Sequence, residues 1–94
     1  NNGNGTFTDV STQAGIQTTA VASFCSAFLD INNDGLQDIY VSNDKTYNAN
    51  VLYKNNGDGT FTDISVSSGT DISIDAMTVT VGDFNNDSWF DIYI

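Results

Sequence analysis

The nine residues from Asp30 to Asp38 read Asp-Ile-Asn-Asn-Asp-Gly-Leu-Gln-Asp. Side-chain oxygens fall at Asp30, Asn32, Asp34 and Asp38, and the backbone carbonyl of Leu36 lies between the last two. This is the hard-oxygen set that calcium takes, roughly six to eight ligands at about 2.3–2.6 Å. Alternate spacing suits a tight loop, which turns successive odd-numbered side chains toward one ion. Gly35 follows the central aspartate and permits a sharp turn with positive φ. Magnesium is the poorer match, because it keeps several waters rather than accept an enclosing protein cage. A calcium loop joining two β-strands is therefore expected. Asn-Asn-Asp-Gly is also a good plain turn, and aspartates solubilise loops, so one copy alone would not decide.

A second copy runs from Asp83 to Asp91, with donors Asp83, Asn85, Asp87 and Asp91 and the Trp89 carbonyl. All four side-chain positions are held. Ser88 stands where the first loop has Gly35. If that position has positive φ, serine costs about 1 kcal/mol, so two calcium sites are expected, the Asp83 loop the weaker. Paired carboxylates could instead do acid–base work, but no second functional group converges on either loop.

The elements that must position these loops are strands. Asn1 to Ser11 matches Asn55 to Ser65 at nine of eleven positions, an offset of 54, while the acidic loops recur at 53. One residue is lost between Gly69 and Gly82. Asp38-Ile-Tyr-Val41 returns as Asp91-Ile-Tyr-Ile94. Such periodicity marks a repeat architecture. Val21 to Leu29 is a small and apolar run, expected to be a strand buried on both faces. Met77, Val79 and Val81 alternate in the equivalent place. Further strands are expected at Asp38 to Ser42, Val51 to Lys54 and Thr60 to Ser65, with Thr6 to Val10 repeating the last. Asn55 to Gly59 reads as a hairpin turn. Ser42 to Asn50 and Ser65 to Asp75 read as polar connectors. No helix of useful length is expected, beyond a single turn at Thr12 to Gly15.

The expected fold class is all-β: antiparallel four-stranded propeller-type blades, one complete and parts of two neighbours. Residues 1–11 would be the outer strand of a preceding blade. Residues 12–66 would form the complete blade, its strands from about residue 20, with the calcium loop at 30–38. Residues 67–94 would begin the next, with the loop at 83–91. Phe7, Phe61, Tyr40 and Tyr93 recur at blade positions and are expected to pack between blades. Asp58, matched by Asn4, is expected to be a turn residue only. Trp89 is a candidate exposed contact.

Composition excludes several function classes. The chain has 94 residues, twelve Asp and no Glu, against two lysines, Lys45 and Lys54, for a net charge of −10. That balance opposes nucleic-acid binding, which needs basic patches, and self-repels unless cations neutralise it. With 39% apolar and 12% aromatic residues the chain is too hydrophobic for disorder. Absence of histidine removes ordinary zinc sites and His-based catalysis. Cys25 is alone, so no internal disulfide forms, and its apolar run argues for a small hydrophobe rather than a reactive thiol. No apolar run is long enough to cross a bilayer, so no membrane insertion is expected. Asn4-Gly-Thr6 and Asn86-Asp-Ser88 fit the N-glycosylation pattern, which arises by chance in a chain of this composition.

The order of turn, strand and loop motifs resembles the FG-GAP/VCBS repeat of integrin α-subunit propellers and secreted bacterial proteins. The resemblance rests on Asn55-Asn-Gly-Asp-Gly-Thr-Phe-Thr-Asp63, on Asp83-Phe-Asn-Asn-Asp87 and on Asp91-Ile-Tyr-Ile94. It implies a β-propeller, commonly seven-bladed, with calcium between the first two strands of a blade. Carried over by position, the implied ligands are the ten residues named above, Leu36 and Trp89 through their carbonyls. Ser88 and the Leu29/Gly82 difference depart from equal copies.

The expected function is a calcium-stabilised module, extracellular or at the cell surface, serving as scaffold or adhesion surface and not as an enzyme. Its expected partners are neighbouring repeats of the chain or other protomers, with a protein or glycan as external ligand. One alternative is a repeat subunit of an extracellular fibre, glycosylated or not. Another is the non-catalytic propeller segment of a polysaccharide-acting enzyme, for which no nucleophile or base with a partner is present.

Overall fold

Residues 1–94 are all described by the structure, a computed structural model. Four strands, β1 (Ser23–Leu29), β2 (Asp38–Asn43), β3 (Val51–Asn55) and β4 (Phe61–Asp63), pair antiparallel in the order β1-β2-β3-β4. A second, two-stranded sheet pairs β5 (Thr80–Gly82) with β6 (Asp91–Tyr93). The chain is thus almost entirely β. In both units the first two strands are joined by an acidic loop, 30–37 and 83–90.

Side-chain alternation along the paired strands defines two faces of the first sheet. Ala27 opposes Tyr40 and Tyr40 opposes Leu52. That inner face buries Leu29, Tyr40 and Leu52, which form the core cluster. Val79, Val81, Ile92 and Ile94 of the second unit pack on it, with Ile31 and Ile64 at its margins. The outer face carries Phe28 opposite Ile39, and Ser26 opposite Val41. The core is therefore the contact between two successive repeats, as expected for Tyr40. Phe7 and Tyr93 instead lie exposed.

Several expectations are corrected. The run Val21 to Leu29 was expected to be buried on both faces. It begins its ladder at Ser23, with a bulge between Ser23 and Cys25, and leaves Phe24 and Phe28 at 59% and 63% exposure. Only its inner face has a neighbouring sheet, so only that face is covered. Cys25 is half-buried, not enclosed. Thr6 to Val10 forms no strand, although its near-copy Phe61–Asp63 does. A strand is defined by its partner: β4 pairs with β3 through Tyr53 to Asn55, and nothing pairs with residues 6–10. Likewise β5 starts at Thr80 rather than Met77, because β6 is only three residues long and ends the ladder there.

The connector after β4 opens with a one-turn helix, α1 (Ser65–Ser68), that closes on Gly69 in the left-handed conformation. Its bonds recur one repeat earlier. Ser68 N–H donates to Ile64 O at 2.9 Å and Thr70 N–H to Ser65 O at 2.9 Å; Ala14 N–H donates to Val10 O at 2.8 Å and Ile16 N–H to Ser11 O at 2.9 Å. The turn at Thr12 to Gly15 is thus as expected, and its second copy is the helix. No helix is long and apolar enough to cross a membrane.

The Leu29/Gly82 difference has a packing reason. Leu29 is buried in the core, and Ile31 flanks it. At the matching positions stand Gly82 and Phe84. A Cβ added at Gly82 would meet the Phe84 ring at 3.2 Å. The ring lies against Gly82 but is 61% exposed, whereas Leu29 is buried. Gly82→Leu alone would press on that exposed ring and should destabilise the chain by up to about 1 kcal/mol. The double change Gly82→Leu with Phe84→Ile, which copies the first unit, should recover most of that loss. Urea denaturation of the three chains checks this; equal stability of the single and double variants would refute the exchange.

Candidate metal centre

The acidic loops are shaped by their own carboxylates. Asp30 accepts from two loop amides, Asp34 N–H to Oδ1 at 3.0 Å and Gly35 N–H to Oδ2 at 2.8 Å. Asp34 Oδ1 accepts from Leu36 N–H at 2.9 Å, and its Oδ2 from Asn32 Nδ2 at 2.8 Å. Asn32 Oδ1 accepts weakly from Asp34 N–H at 3.3 Å. These short rings need a chain that doubles back, and two residues take positive φ to do so, Asn33 at 57° and Gly35 at 84°. Asparagine is the non-glycine residue best suited to that conformation.

Asp38 closes the loop differently. It opens β2 and is fully buried. Its Oδ2 accepts from Ile31 N–H at 2.9 Å and its Oδ1 from Asn55 N–H at 2.7 Å. One carboxylate thus joins the start of the loop to the end of β3. Beside it, Asn55 Nδ2 donates to Gln37 O at 3.0 Å. Leu36 stands 3.3 Å from where a Cβ on Gly57 would lie. The acidic loop and the Asn55 to Gly59 turn are therefore packed side by side at one end of the sheet.

The second loop repeats this almost atom for atom. Asp87 N–H and Ser88 N–H donate to Asp83 at 3.0 and 2.8 Å, and Trp89 N–H to Asp87 Oδ1 at 2.9 Å. Asn85 Nδ2 donates to Asp87 Oδ2 at 2.9 Å, and Phe84 N–H to Asp91 Oδ2 at 2.9 Å. Asn86 and Ser88 take φ of 63° and 72°. The position of Ser88 is thus left-handed, the condition under which serine is strained. The two loops touch: Asn33 Nδ2 lies 3.4 Å from Ser88 O. Asp91 accepts from the loop amide alone.

Each sequence-derived donor is in its loop, and the structure orders them by hydrogen bonding rather than as a closed cage. No three acidic side chains stand close enough together to form a metal-binding cluster. The donor chemistry nevertheless fits a hard cation. Every candidate is an oxygen, and each carboxylate oxygen has two acceptor lone pairs, of which one amide takes only one. The carbonyls of Leu36 and Trp89 accept no hydrogen bond. Asp34 is held below the ordinary carboxylate range, mainly by the Leu36 amide, then by Asn32, with Lys54 adding a favourable charge. It is ionised and ready to ligate at neutral pH.

The adjoining turn is closed by its own side chain. Asp58 Oδ1 accepts from Thr60 N–H at 2.9 Å and Thr60 Oγ1 at 2.6 Å. Asn4 Oδ1 accepts from Thr6 at 3.1 and 2.7 Å in the same way. Either an amide or a carboxylate oxygen closes the turn, as expected, the carboxylate by charge-assisted bonds. What the sequence reading missed is the network behind β3. Ser65 Oγ donates to Asp63 and accepts from the buried Leu52 N–H at 2.9 Å. Asn43 N–H donates to Asn50 Oδ1 at 2.8 Å, and Asn43 Nδ2 to Ala49 O at 2.6 Å. The Asp-x-Ser recurrence at Asp9/Ser11 and Asp63/Ser65 was the visible signal for the first; nothing marked the asparagine pair.

Two outcomes follow. Asp38→Ala strands two amides, one at the end of a buried strand, and should cost about 2–5 kcal/mol. Asp91→Ala strands one near the surface and should cost clearly less. Chemical denaturation of both variants checks the order, and equal losses would contradict it. Asp58 is shifted down, by the Thr60 hydroxyl first and then its amide. A depressed carboxylate stabilises the fold above its unfolded value and loses that contribution as pH falls through its folded value. Asp58→Asn should therefore melt slightly below the parent at pH 7, the two converging as the pH falls below the ordinary carboxylate range. Melting curves across that range give the comparison.

The FG-GAP-like repeat matches residues 30–94 of the chain, a span that holds both acidic loops and the complete turn between them. No curated protein matches the chain.

Proposed function

The chain belongs to the FG-GAP-like repeat family, and on that premise we propose that it is a calcium-stabilised repeat module that presents a scaffold or adhesion surface outside the cell. The observation behind this reading is the pair of loops. Two segments 53 residues apart hold the same four oxygen side chains in the same hydrogen-bonded turn. In both copies the four side chains shape the turn through hydrogen bonds, and their oxygens keep acceptor capacity for a cation. Asp30, Asn32, Asp34 and Asp38, with the Leu36 carbonyl, would hold one ion. Asp83, Asn85, Asp87 and Asp91, with the Trp89 carbonyl, would hold the other. Bound calcium supplies positive charge and multidentate oxygen coordination; it would cross-link the two strands that each loop joins. Two ions would bring the net charge of −10 to about −6 and relieve self-repulsion. An extracellular setting suits an affinity of about 10⁻⁴–10⁻³ M, the range of such modules. No acid–base or nucleophilic pair accompanies the loops, which favours binding over catalysis. Blades of a propeller are the architecture in which successive sheets of this kind pack face to face.

The second reading is a repeat subunit of an extracellular fibre, suited to the apolar outer face of β1 at Phe24 and Phe28. It differs in what lies next to the chain, not in the metal chemistry.

Titration with calcium should raise the melting temperature, and EGTA should lower it again. Isothermal titration should resolve a tighter and a weaker site. Ser88→Gly, which relieves the left-handed serine, should strengthen the weaker site by up to about tenfold, the equivalent of ~1 kcal/mol. A melt indifferent to both calcium and EGTA would sink the calcium reading.

A further inference from the structure

The end of the first sheet away from the acidic loops gathers a second set of polar groups. There β2 turns into β3 through residues 44–50. Two connectors flank that turn, one leading into β1 and one leaving α1. They are copies of each other: Gln17 matches Asp71 at the offset of 54. Both are fastened to the first unit. Gln17 N–H donates to the Tyr53 hydroxyl at 3.1 Å, Asp44 N–H to Ala22 O at 2.7 Å, and Asn50 N–H to Ile72 O at 3.0 Å. Between the connectors and the turn lies an open cavity of about 340 Å³. Its walls come from residues 17–71, on both sides of the turn, and none of them from the acidic loops.

The floor of the cavity is polar. Asn43, Asn50 and Ser65 line it, and all three are buried. Neighbouring groups satisfy Asn43 and Ser65, but not Asn50. Its Oδ1 accepts from Asn43 N–H at 2.8 Å, whereas its Nδ2 has no hydrogen-bond partner although the residue is 0% exposed. The Tyr40 hydroxyl lies beside this amide. Burial pushes the Tyr40 phenol up and Asn50 offsets part of the rise, without a hydrogen bond between them. A buried donor without a partner costs stability, so it calls for an acceptor supplied through the cavity. Gln17, Asn48 and Asp71 add further donors and acceptors, and Tyr47 stands at the mouth, 78% exposed. The turn that presents Tyr47 holds Lys45 at a φ of 95°, the kind of backbone strain that clusters at ligand clamps.

Charge and hydrogen-bonding capacity narrow what fits. Both lysines are committed elsewhere, Lys45 to Asp44 at 3.0 Å and Lys54 on β3 near Asp34. Asp63 and Asp71 line the cavity, so an anion is repelled. An ammonium group suits the carboxylates but offers no acceptor to Asn50 Nδ2. An apolar ligand would leave the amides unpaired. A sugar hydroxyl donates and accepts at once, and so meets both the carboxylates and the amides, while the C–H face of a pyranose lies well against an aromatic ring. The volume admits one sugar residue and far exceeds what a single water needs.

We propose that this cavity binds one residue of a neutral carbohydrate. Asn50, Asn48 and Gln17 share hydrogen bonds with its hydroxyls, Asp63 and Asp71 accept from them, and Tyr47 packs on the ring. This inference rests on the reading of the chain as a surface-presenting module and gives that surface a ligand class.

NMR titration of the nitrogen-15-labelled chain in calcium-containing buffer tests it, with glucose, galactose, mannose, fucose and N-acetylglucosamine each taken to about 50 mM. At least one sugar should shift the side-chain amides of Gln17, Asn48 and Asn50 together with the backbone amides of residues 44–50, saturating with a Kd of about 1–10 mM. The Trp89 indole, in an acidic loop, should stay in place. Tyr47→Ala and Asn48→Ala change side chains outside the core and should each weaken binding about tenfold. An otherwise unchanged spectrum shows that both variants are folded. No saturable shift with any of the five sugars overturns the proposal, and so does a shift that both variants keep at full strength. Movement of the same amides with N-acetyl-lysine amide, the probe for a cationic side chain, and not with the sugars overturns it in favour of a basic peptide. The calcium reading is judged separately by the melting shift with EGTA, which does not involve this cavity.

Discussion

A single carboxylate, that of Asp38, holds the first repeat in register. It is buried where the acidic loop, β2 and the end of β3 meet, and it accepts from the amides of Ile31 and Asn55. Burying a carboxylate is costly unless its oxygens are satisfied, and the two amides satisfy them. The consequence runs in both directions. Amides that would otherwise lack partners at a strand end and a loop start gain one, and the carboxylate is fixed at the mouth of the loop. Tyr40 follows two residues later on the same face and enters the core with Leu29 and Leu52. The position of the loop and the composition of the core are thus set by one pairing register, β1 on β2 and β2 on β3.

The second repeat shows what the register requires and what it leaves free. Its loop keeps every ring bond of the first, yet its packing differs, with Gly82 and Phe84 in place of Leu29 and Ile31. Glycine and phenylalanine are together smaller than leucine and isoleucine, and the phenylalanine ring is exposed where the leucine is buried, so the exchange is not a volume-conserving one. Ser88 in place of Gly35 is a different kind of change. It keeps the left-handed turn and accepts strain there.

Much of this was legible in the sequence because the relevant interactions are local. The acidic loops, the Asn55 to Gly59 turn and the turns after Asp9 and Asp63 all form bonds between residues two to five apart. Side-chain type and spacing specify such bonds directly, and an internal copy exposes them. The strand order followed from the same hairpins. What was not legible depends on partners distant in the chain. Residues 6–10 have a strand's sequence and no partner, while Phe61–Asp63 has nearly the same sequence and pairs with β3. Val21 to Leu29 was read as buried on both faces from its apolar content, but hydrophobicity reports what a strand can bury, not what is present to cover it. The one-turn helix at Ser65–Ser68 escaped because serine and threonine favour connectors in general, and only its hydrogen bonds to Ile64 and Ser65 reveal the turn. The Asn43 and Asn50 pair belongs to the same class. Their side chains serve the backbone of a neighbouring segment, which composition does not announce.

The ring bonds of the acidic loops have one more consequence, for how the repeat can change length. Each ring closes over a fixed number of residues, so an insertion there would open several bonds at once. The matching hairpin turn is closed in the same way, by Asn56 N–H to Thr60 O at 3.0 Å and Asn2 N–H to Thr6 O at 2.9 Å. Both lie at one end of the sheet. The residue by which the two repeats differ falls between Gly69 and Gly82, in the connector that crosses to the next sheet beyond the other end. There the backbone is held at isolated points, such as Asn50 N–H to Ile72 O at 3.0 Å. One end of the repeat acts as a ruler and the other as slack. The one difference in length between the two copies falls at the slack end, and the acidic-loop end is the same length in both.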